Sequence, residues 1–231
     1  MTLSSNYGII IVTGRKMSAN FLNEIENNVK VSLFTDDDLK IIFRDKPPSA
    51  IYNCLTYHLK KKNLKRYKRG LYSLAAKRSE KLDFSKFKLA NKLVLHSFIS
   101  FESALSHHGL IPEAVYEITS TCFTKNKVFE NSLGRFSFTY CPVEPFYLGV
   151  EKDEITKAKI ANPIRALFDL IYLRKKIYNR AQDLEEDFRI DLEELKNELN
   201  KFKAKDILEL GDRYKKKTTR SLAMILVRDL K

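Results

Sequence analysis

Hydrophobic positions recur at helical spacing directly after a pair of prolines, Pro47 and Pro48. The members of this set, three or four residues apart, are Ile51, Cys54, Leu55, His58 and Leu59. Side chains with this spacing share one face of an α-helix, so the pattern predicts a helix that buries this face. Ser49 is the predicted N-cap, because a serine oxygen at that position can accept a backbone hydrogen bond.

The pattern changes from helical to strand-like after this helix. Asn63 is the residue expected to leave the helix with a positive φ. Residues 64–66 and 71–74 then predict two short strands, joined by a turn over residues 67–70. A helix followed by a hairpin is the order found in the second half of a winged helix-turn-helix.

Two further helices are predicted ahead of the prolines. Residues 18–29 place apolar side chains on one face, and Thr35 is expected to cap a second helix that runs to about Phe43. The acids at 36–38 suit the positive end of that helix dipole, although consecutive carboxylates are also potential metal ligands. Together the elements predict a winged helix-turn-helix domain over residues 18–75.

Two stretches lack a strong hydrophobic period. Residues 1–17 allow either an edge strand at 9–12 or a loose N-terminal arm, of which we expect the arm. Residues 76–92 are polar and predict a linker with room for one helical turn. The remaining residues, 93–231, then form a second domain.

This second domain alternates strand-like and helical patterns, which predicts a mixed sheet with helices packed against it. Ser100 is expected to cap a helix that ends at Gly109, and Asn162 to cap another that runs to residue 173. The predicted strands cover residues 115–122, 135–141 and 146–150, with a polar turn at 125–134. A helical C-terminal extension follows, in amphipathic helices over residues 192–202, 204–214 and 218–230. The predicted fold class of the whole chain is α/β (α+β).

Charge changes the picture because it is clustered. The chain has a net charge of +13, and residues 47–79 contain nine lysines or arginines with no acid. Such a segment favours an anionic partner, although a basic solvated face or lysines at a helix C-terminus would give a similar pattern. That alternative suits residues 60–62. It does not suit the hairpin, where four basic side chains would crowd a tight turn unless an anion neutralised them.

The predicted partner is double-stranded DNA. The face of the helix opposite its apolar set would meet the major groove, where asparagine can pair with adenine and threonine can contact a thymine methyl. Basic residues beyond it would bind phosphates or probe the minor groove. The candidate contact residues are Ser49, Tyr52, Asn53, Thr56, Tyr57, Lys60, Lys61, Lys65, Arg66, Lys68 and Arg69.

Three segments of the chain resemble a known family. They are YHLKKKNLKRYKRGLYSL at 57–74, SFISFESALSHHGLIPEAVYEIT at 97–119 and ANPIRALFDLIYL at 161–173. These segments are similar to the AbiEi family, the antitoxin and autorepressor half of bacterial type IV toxin–antitoxin pairs. Asn63 stands where the family commonly has glycine, and Arg165 where it frequently has lysine. The resemblance covers about residues 33–173.

The resemblance implies a function as well as a fold. It implies a transcriptional regulator that binds its own promoter region and represses it. It also implies that the domain at 93–231 opposes a toxin of the nucleotidyltransferase kind. The resemblance is silent about the basic group at 215–220, whose position between two predicted helices fits an exposed loop as well as an anion contact.

We expect no catalytic residue, no metal site and no cofactor. The histidine candidates include His107 and His108, but adjacent helical residues point about 100° apart and cannot both face one metal. The acids Glu151, Asp153 and Glu154 lie in a polar loop without the basic partner that a nuclease site needs, and no glycine-rich phosphate loop is present. A metal-dependent nuclease-like enzyme and a protein-interaction module without specific DNA binding remain the alternative functions.

Cysteine usage and hydropathy indicate the compartment. Cys54, Cys122 and Cys141 are far apart and show no CxxC spacing, so neither a disulfide framework nor a zinc knuckle is predicted. The longest apolar run, at 8–12, is too short for a transmembrane helix, and the chain does not open with a signal-peptide pattern. The sequence therefore predicts a cytoplasmic protein with no membrane partner.

Overall fold

The computed structural model describes residues 20–29, 33–75, 84–112, 116–174 and 176–231. The chain divides into two compact units, Met1–Ser85 and Lys86–Lys231. The predicted N-terminal arm and most of the predicted linker lie outside the described residues. Helices and strands form two separate sheets with their own helices, so the chain is a mixed α/β protein, as its sequence predicts.

The first unit combines short helices with a small antiparallel sheet. Its elements in chain order are α1 (20–28), β1 (Leu33–Thr35), α2 (Asp36–Ile42), α3 (Pro48–Lys60), β2 (Leu64–Lys68) and β3 (Leu71–Leu74). In this described part, the sheet has three strands in the order β1-β3-β2, with both pairs antiparallel. The strand β1 is not among the elements that the sequence predicts.

The core of the first unit lies between the helices and the sheet. Its fully or almost fully buried members include Phe21, Ile25, Phe34, Leu39, Ile51, Leu55 and Leu64. The Phe21 ring stacks on Phe43 at 4.7 Å and on His58 at 5.5 Å between centroids. Burial of such side chains is the main favourable contribution to folding, so this cluster fixes the rotation of α3.

Of the helix ends predicted for this unit, the start of α2 agrees with the structure, whereas the start and the end of α3 do not. Thr35 caps α2 as predicted: the Asp38 N–H donates to its Oγ1 at 3.2 Å, and its own N–H donates to the Asp38 carboxylate at 2.7 Å. Ser49 is not the N-cap of α3. Pro47 takes that position, and the helix begins at Pro48, ahead of the predicted cap. Ser49 therefore lies in the first turn.

The helix α3 ends one residue earlier than the sequence predicts. Lys62, not Asn63, has the positive φ, at 58°. Lys62 N–H donates to Leu59 O and Asn63 N–H donates to His58 O, which is the Schellman pattern of helix termination. The Asn63 side chain lies 3.2 Å from His58 Nδ1. The asparagine is thus used for its side-chain contact and not for its tolerance of positive φ.

The second unit is larger and contains a mixed sheet. Its helices are α4 (Lys86–Leu93), α5 (Phe101–His107), α6 (Pro163–Leu173), α7 (Gln182–Phe188), α8 (Leu192–Asn200), α9 (Ala204–Arg213) and α10 (Lys217–Ile225), which continues as a π-helix (Leu226–Leu230). Its strands are β4 (Ser97–Ile99), β5 (Glu117–Cys122), β6 (Lys127–Asn131), β7 (Gly134–Tyr140), β8 (Val150–Lys152) and β9 (Lys159–Ala161). The described strands form one sheet in the order β6-β7-β5-β4-β9-β8, with parallel pairing in β5–β7 and β4–β9.

Several predictions for the second unit need correction. Residues 86–92 were assigned to the linker but belong to α4, which buries Leu89 and Ala90. The predicted turn at 125–134 contains the strand β6, and the strand expected at 146–150 begins only at Val150. The predicted helical extension is present as α8 to α10. The strands β6 and β8 pair with the next strand in the chain, β7 and β9, but their polar residues hide this in the sequence pattern.

One of the two N-caps predicted for the second unit is confirmed and the other is not. Asn162 caps α6 as predicted, because the Arg165 N–H donates to its Oδ1 at 2.8 Å. Ser100 occupies the N-cap position of α5, but its side chain does not cap the helix. It donates instead to the Asp169 carboxylate at 2.6 Å. The sequence pattern thus gives the position of Ser100 but not its partner.

The division of the chain at residues 85 and 86 predicts two cooperative folding units. We expect fragments 1–85 and 86–231 each to show a sigmoidal thermal unfolding transition, because each unit has its own buried core. Circular dichroism of the two fragments measures this. A fragment that unfolds without a cooperative transition would show that its core depends on the rest of the chain.

Candidate nucleic-acid interface

The helix α3 has one buried and one exposed face. Ile51, Cys54, Leu55 and His58 are buried in the core, at the positions that the sequence predicts. The opposite face exposes Asn53 and Thr56. It also exposes two aromatic side chains, Tyr52 (42% exposed) and Tyr57 (49% exposed). These two exposed tyrosine rings leave apolar area in contact with solvent, which suits a surface that another molecule covers.

The hairpin that follows α3 buries its apolar side chains and exposes most of its basic ones. Leu64 and Tyr67 of β2 point into the unit, whereas Lys65 and Arg66 are both exposed. A bulge between Arg66 and Lys68 breaks the alternation of the strand, so two consecutive basic residues reach solvent. Tyr67 was expected in the turn, but it belongs to β2 and its hydroxyl lies 3.1 Å from Ser73 Oγ.

All the predicted contact residues lie within the described range 33–75. Ten of the eleven are exposed, and Lys68 is half-buried. Within this range Lys40 pairs with Asp37, and no carboxylate there forms an ion pair with Lys65, Arg66 or Arg69. The surface formed by α3 and the hairpin is therefore basic, although the Asp36 carboxylate lies close to the hairpin turn.

Two residues that support the hairpin were not identified from the sequence. Asp36, at the start of α2, lies against the hairpin turn: a side chain added at Gly70 would come within 3.2 Å of Asp36 Oδ2. Gly70 has φ +78°, and its N–H donates to the Tyr72 hydroxyl at 3.3 Å. Burial raises the pKa of Tyr72, and Asp36 raises it further, so the hydroxyl stays protonated. The positive φ favours glycine at this turn, and a larger residue would also require the Asp36 side chain to move.

The histidines of the second unit have separate partners. His107 Nε2 lies 3.2 Å from Asp153 Oδ1, while His108 Nε2 lies 2.9 Å from the Ala161 carbonyl. Hydrogen bonds from the Thr156 hydroxyl and N–H, with a smaller contribution from His107, lower the pKa of Asp153 to about 2. Burial lowers the pKa of His108. Among the described residues, no three His, Cys, Asp or Glu side chains lie together as a metal site.

The cysteines are buried and disfavoured as nucleophiles. Burial raises the pKa of the thiols of Cys54 and Cys122. Burial also raises the pKa of Cys141, with a further contribution from the neighbouring Asp169 carboxylate. A thiolate is the reactive form of cysteine, so a raised pKa works against nucleophilic catalysis at all three positions.

A cleft of about 250 Å³ opens beside the start of α6 and α9. Its lining is largely apolar and includes Ile164, Ile207 and Leu210. The Arg213 guanidinium at its edge is already used, because it donates to Glu209 at 2.5 Å and to the Glu144 carbonyl at 2.7 Å. The one basic side chain of the lining is thus already paired, and the cleft offers no acid and base pair poised for hydrolysis.

A buried polar network crosses the second unit. Arg165 and Asp169, one turn apart on α6, form an ion pair at 3.0 Å and are both 0% exposed. Asp169 also accepts hydrogen bonds from Ser100, Thr121 and Tyr214, at 2.6, 3.0 and 2.6 Å. Although burial acts to lower it, the Asp169 carboxylate keeps the pKa of Arg165 above its usual value. The spacing of Arg165 and Asp169 was visible in the sequence, but their burial was not.

The described helices include none with the length and apolar character needed to cross a membrane. No protein-family model matches this chain, and a search of curated proteins found no match.

Proposed function

We propose that this protein is a sequence-specific DNA-binding transcriptional regulator. In this proposal the first unit is a winged helix-turn-helix, α3 is its recognition helix and the β2–β3 hairpin is its wing. The observation that supports it most is the rotation of α3. Burial of Ile51, Cys54 and Leu55 turns a polar and aromatic face outward, next to an exposed basic hairpin.

The exposed face of α3 suits a major groove. A helix with its side chains is about 10–12 Å wide, and the major groove of B-DNA is about 12 Å wide. Asn53 and Thr56 lie three residues apart, so they project from the same side of the helix. An asparagine amide can make two hydrogen bonds with adenine, and a threonine can contact a thymine methyl. Ser49, in the first turn, is positioned for a phosphate or a base edge.

The charges around α3 suit the phosphate backbone. Lys60 and Lys61 are exposed at the C-terminal end of the helix, and Lys65, Arg66 and Arg69 are exposed on the hairpin. Like charges held this close repel one another, and a DNA phosphate would relieve that repulsion. These contacts would fix the register of the protein on the duplex without reading its sequence.

We further propose that the protein represses its own promoter and acts as the antitoxin of a nucleotidyltransferase-like toxin in the cytoplasm, without an enzymatic activity of its own. This part rests on the sequence resemblance to the AbiEi family. The segments that carry the resemblance include the end of α3 with its hairpin and the whole of α6. The test is co-expression with the nucleotidyltransferase encoded beside it, where one is present. Growth inhibition that persists would contradict the antitoxin role.

The DNA-binding proposal predicts that the affinity for duplex DNA falls steeply with salt concentration, and that the basic side chains of the hairpin cause part of this dependence. We expect the variant with Lys65, Arg66 and Arg69 replaced by glutamine to bind duplex DNA with a slope of log K against log salt that is shallower by about 0.9 for each lost phosphate contact. Titrations of the upstream DNA of its own gene at several salt concentrations measure this slope. Lys68 is left unchanged because it is half-buried.

The matched control for the hairpin variant replaces Lys125, Lys196 and Lys205, which are exposed in the second unit, by glutamine. This control removes the same net charge and should retain the parent slope. Equal slopes for the parent, the control and the hairpin variant would remove the hairpin from the DNA interface.

A further inference from the structure

Four lysines meet on one surface of the second unit. Lys88 and Lys92 lie one turn apart on α4, while Lys152 on β8 and Lys159 on β9 are direct partners in the antiparallel register. Direct partners in such a pair have their Cβ atoms about 4.5–5.5 Å apart and project to the same face of the sheet. We call Lys88, Lys92, Lys152 and Lys159 the lysine patch.

Specific contacts keep the two parts of the lysine patch together. The Asn91 side chain, on α4, accepts a hydrogen bond from the Lys159 N–H at 2.6 Å. Lys88 Nζ donates to the Lys157 carbonyl at 2.9 Å. These contacts join a helix to a hairpin almost seventy residues away in the chain, and they fix the lysines relative to one another. The patch is therefore a built surface and not a chance overlap of long side chains.

The arrangement is unfavourable for the isolated chain. Like charges one turn apart on a helix, or directly opposite in an antiparallel pair, destabilise the fold. Partial burial, and then the nearby Lys92, Lys152 and Lys159, lower the pKa of Lys88. Two neighbouring acids have closer partners than the patch. Glu154 pairs with Lys157 at 2.7 Å, and Lys157, with a smaller contribution from Lys152, lowers the pKa of Glu154. Asp153 accepts from Thr156. In the described chain no carboxylate forms an ion pair with Lys92, Lys152 or Lys159.

An aromatic side chain lies beside the charges. Lys159 Nζ is 4.3 Å from the centroid of the Tyr147 ring, which is 38% exposed. The Tyr147 hydroxyl lies 3.4 Å from His96 Nδ1. Ammonium groups interleaved with an exposed aromatic ring are typical of surfaces that contact nucleic acids, where phosphate and base or sugar both need a partner.

We propose that the lysine patch is a second nucleic-acid-binding surface, which contacts the phosphates of duplex DNA without reading their sequence. DNA carries one negative charge per about 1.7 Å of its axis, and this density matches four ammonium groups fixed on a small area. The lysine patch belongs to the second unit, whereas α3 and its hairpin belong to the first. The inference therefore goes beyond the function proposed above and does not depend on it.

The burial of the apolar face of α4 favours DNA over an anionic membrane as the partner of the lysine patch. Basic helices that lie on membranes insert an exposed apolar face into the lipid. The apolar side of α4 is not available for this, because Leu89, Ala90 and Leu93 are buried in the core of the unit. The lysines of α4 are thus presented by a helix whose apolar face is already covered, which suits a water-soluble polyanion.

The test replaces Lys92, Lys152 and Lys159 by glutamine in the full chain and leaves Lys88 to keep its contact with the Lys157 carbonyl. Binding to a random-sequence duplex is measured by fluorescence anisotropy over a range of salt concentrations. We expect weaker binding and a slope of log K against log salt that is shallower by roughly 2–3, at about 0.9 per phosphate. The control with Lys125, Lys196 and Lys205 replaced by glutamine should keep the parent slope.

A second variant replaces the same three lysines by arginine, which keeps the charge, and should retain the slope. If the glutamine variant keeps the parent slope, or if the arginine variant loses it, the inference is overturned. The same variants are tested in sedimentation with vesicles that contain phosphatidylserine. Loss of vesicle binding in the glutamine variant with an unchanged DNA slope would overturn the inference in favour of a lipid surface.

Failure of this inference is distinguishable from failure of the proposed function. In the background of the hairpin variant, the lysine-patch substitutions should remove further DNA affinity, because the two surfaces contact separate phosphates. If the hairpin variant binds like the parent while the lysine-patch variant does not, the function of the first unit is wrong and this inference stands. If only the hairpin variant loses affinity, the inference is overturned.

Discussion

Replacing Asp169 with alanine is expected to lower the free energy of unfolding of the second unit by about 3–5 kcal/mol. The carboxylate is fully buried and is the ion-pair partner of Arg165, which is also fully buried. Its removal leaves a guanidinium in the core without its counter-charge, and it leaves the hydroxyls of Ser100 and Tyr214 without their acceptor. Each of these groups was desolvated on folding, so each loss adds to the cost.

Urea unfolding followed by circular dichroism measures this loss. The matched control is Asp212→Ala, which removes an ion pair with Arg220 at 2.7 Å whose side chains are 66% and 57% exposed. An exposed pair contributes no more than about 1 kcal/mol, so the control should change stability little. Equal losses for Asp169→Ala and Asp212→Ala would show that the buried network does not stabilise the unit.

A double variant separates the loss of the pair from the cost of the charge left behind. Asp169→Ala combined with Arg165→Met removes both charges, and the combination should be more stable than Asp169→Ala alone. A double variant that is less stable than the single one would indicate that the Arg165 contacts with the Phe146 and Leu148 carbonyls matter more than its charge.

This network also bears on the function of α6. Asp169 accepts from four side chains that come from α6 itself, from the residue before α5, from β5 and from the end of α9. A carboxylate with its lone pairs occupied in this way is a poor general base. The A-N-P-I-R-A-L-F-D-L segment is therefore explained by packing and hydrogen bonding. A catalytic role for its charged residues has no support in the geometry.

The predictions that agree with the structure depend on local signals. The rotation of α3 follows from a hydrophobic set with helical spacing, and the caps at Thr35 and Asn162 follow from side chains that reach their own helix ends. Such features depend on residues within one or two helical turns. Burial then selects the same conformation that the local pattern favours.

The features that the sequence did not reveal depend on partners outside their own segment. The strands β1 and β6 are three and five residues long, and each exists because it pairs with another strand. Helix α4 looked like a linker because its apolar residues are few, and they are buried by contacts with β4, β5 and β9. The lysine patch has the same origin, since its charges come from α4 and from a hairpin close to α6. Local periodicity contains no information about such pairings.

The candidate interface shows the same division. The exposed residues of α3 and the basic hairpin were identified from the sequence, because exposure follows from helix rotation and charge from composition. The support of the hairpin turn by Asp36 and Gly70 was not identified, since it joins α2 to a turn more than thirty residues later. The partner of this surface stays a prediction that binding experiments must test.

Specificity should depend on Asn53 and Thr56. Replacing either residue with alanine is expected to reduce the discrimination between cognate and random DNA by about 1–3 kcal/mol, because hydrogen bonds and contacts to base edges are lost. Binding to random duplex should change little, because the basic hairpin keeps its phosphate contacts. Competition titrations with the upstream DNA of the gene and a shuffled duplex of equal length measure the ratio. The control is Asn197→Ala, at an exposed position on α8.

The stability of these variants tests the rotation of α3 independently of DNA. Asn53 and Thr56 are exposed, and alanine has a higher helix propensity than either residue, so the melting temperature should be unchanged or slightly raised. Leu55→Ala, on the buried face, should instead cost about 2–5 kcal/mol. A loss of thermal stability in Asn53→Ala or Thr56→Ala, with an unchanged ratio of cognate to random binding, would show that this face packs inside the unit and does not contact DNA.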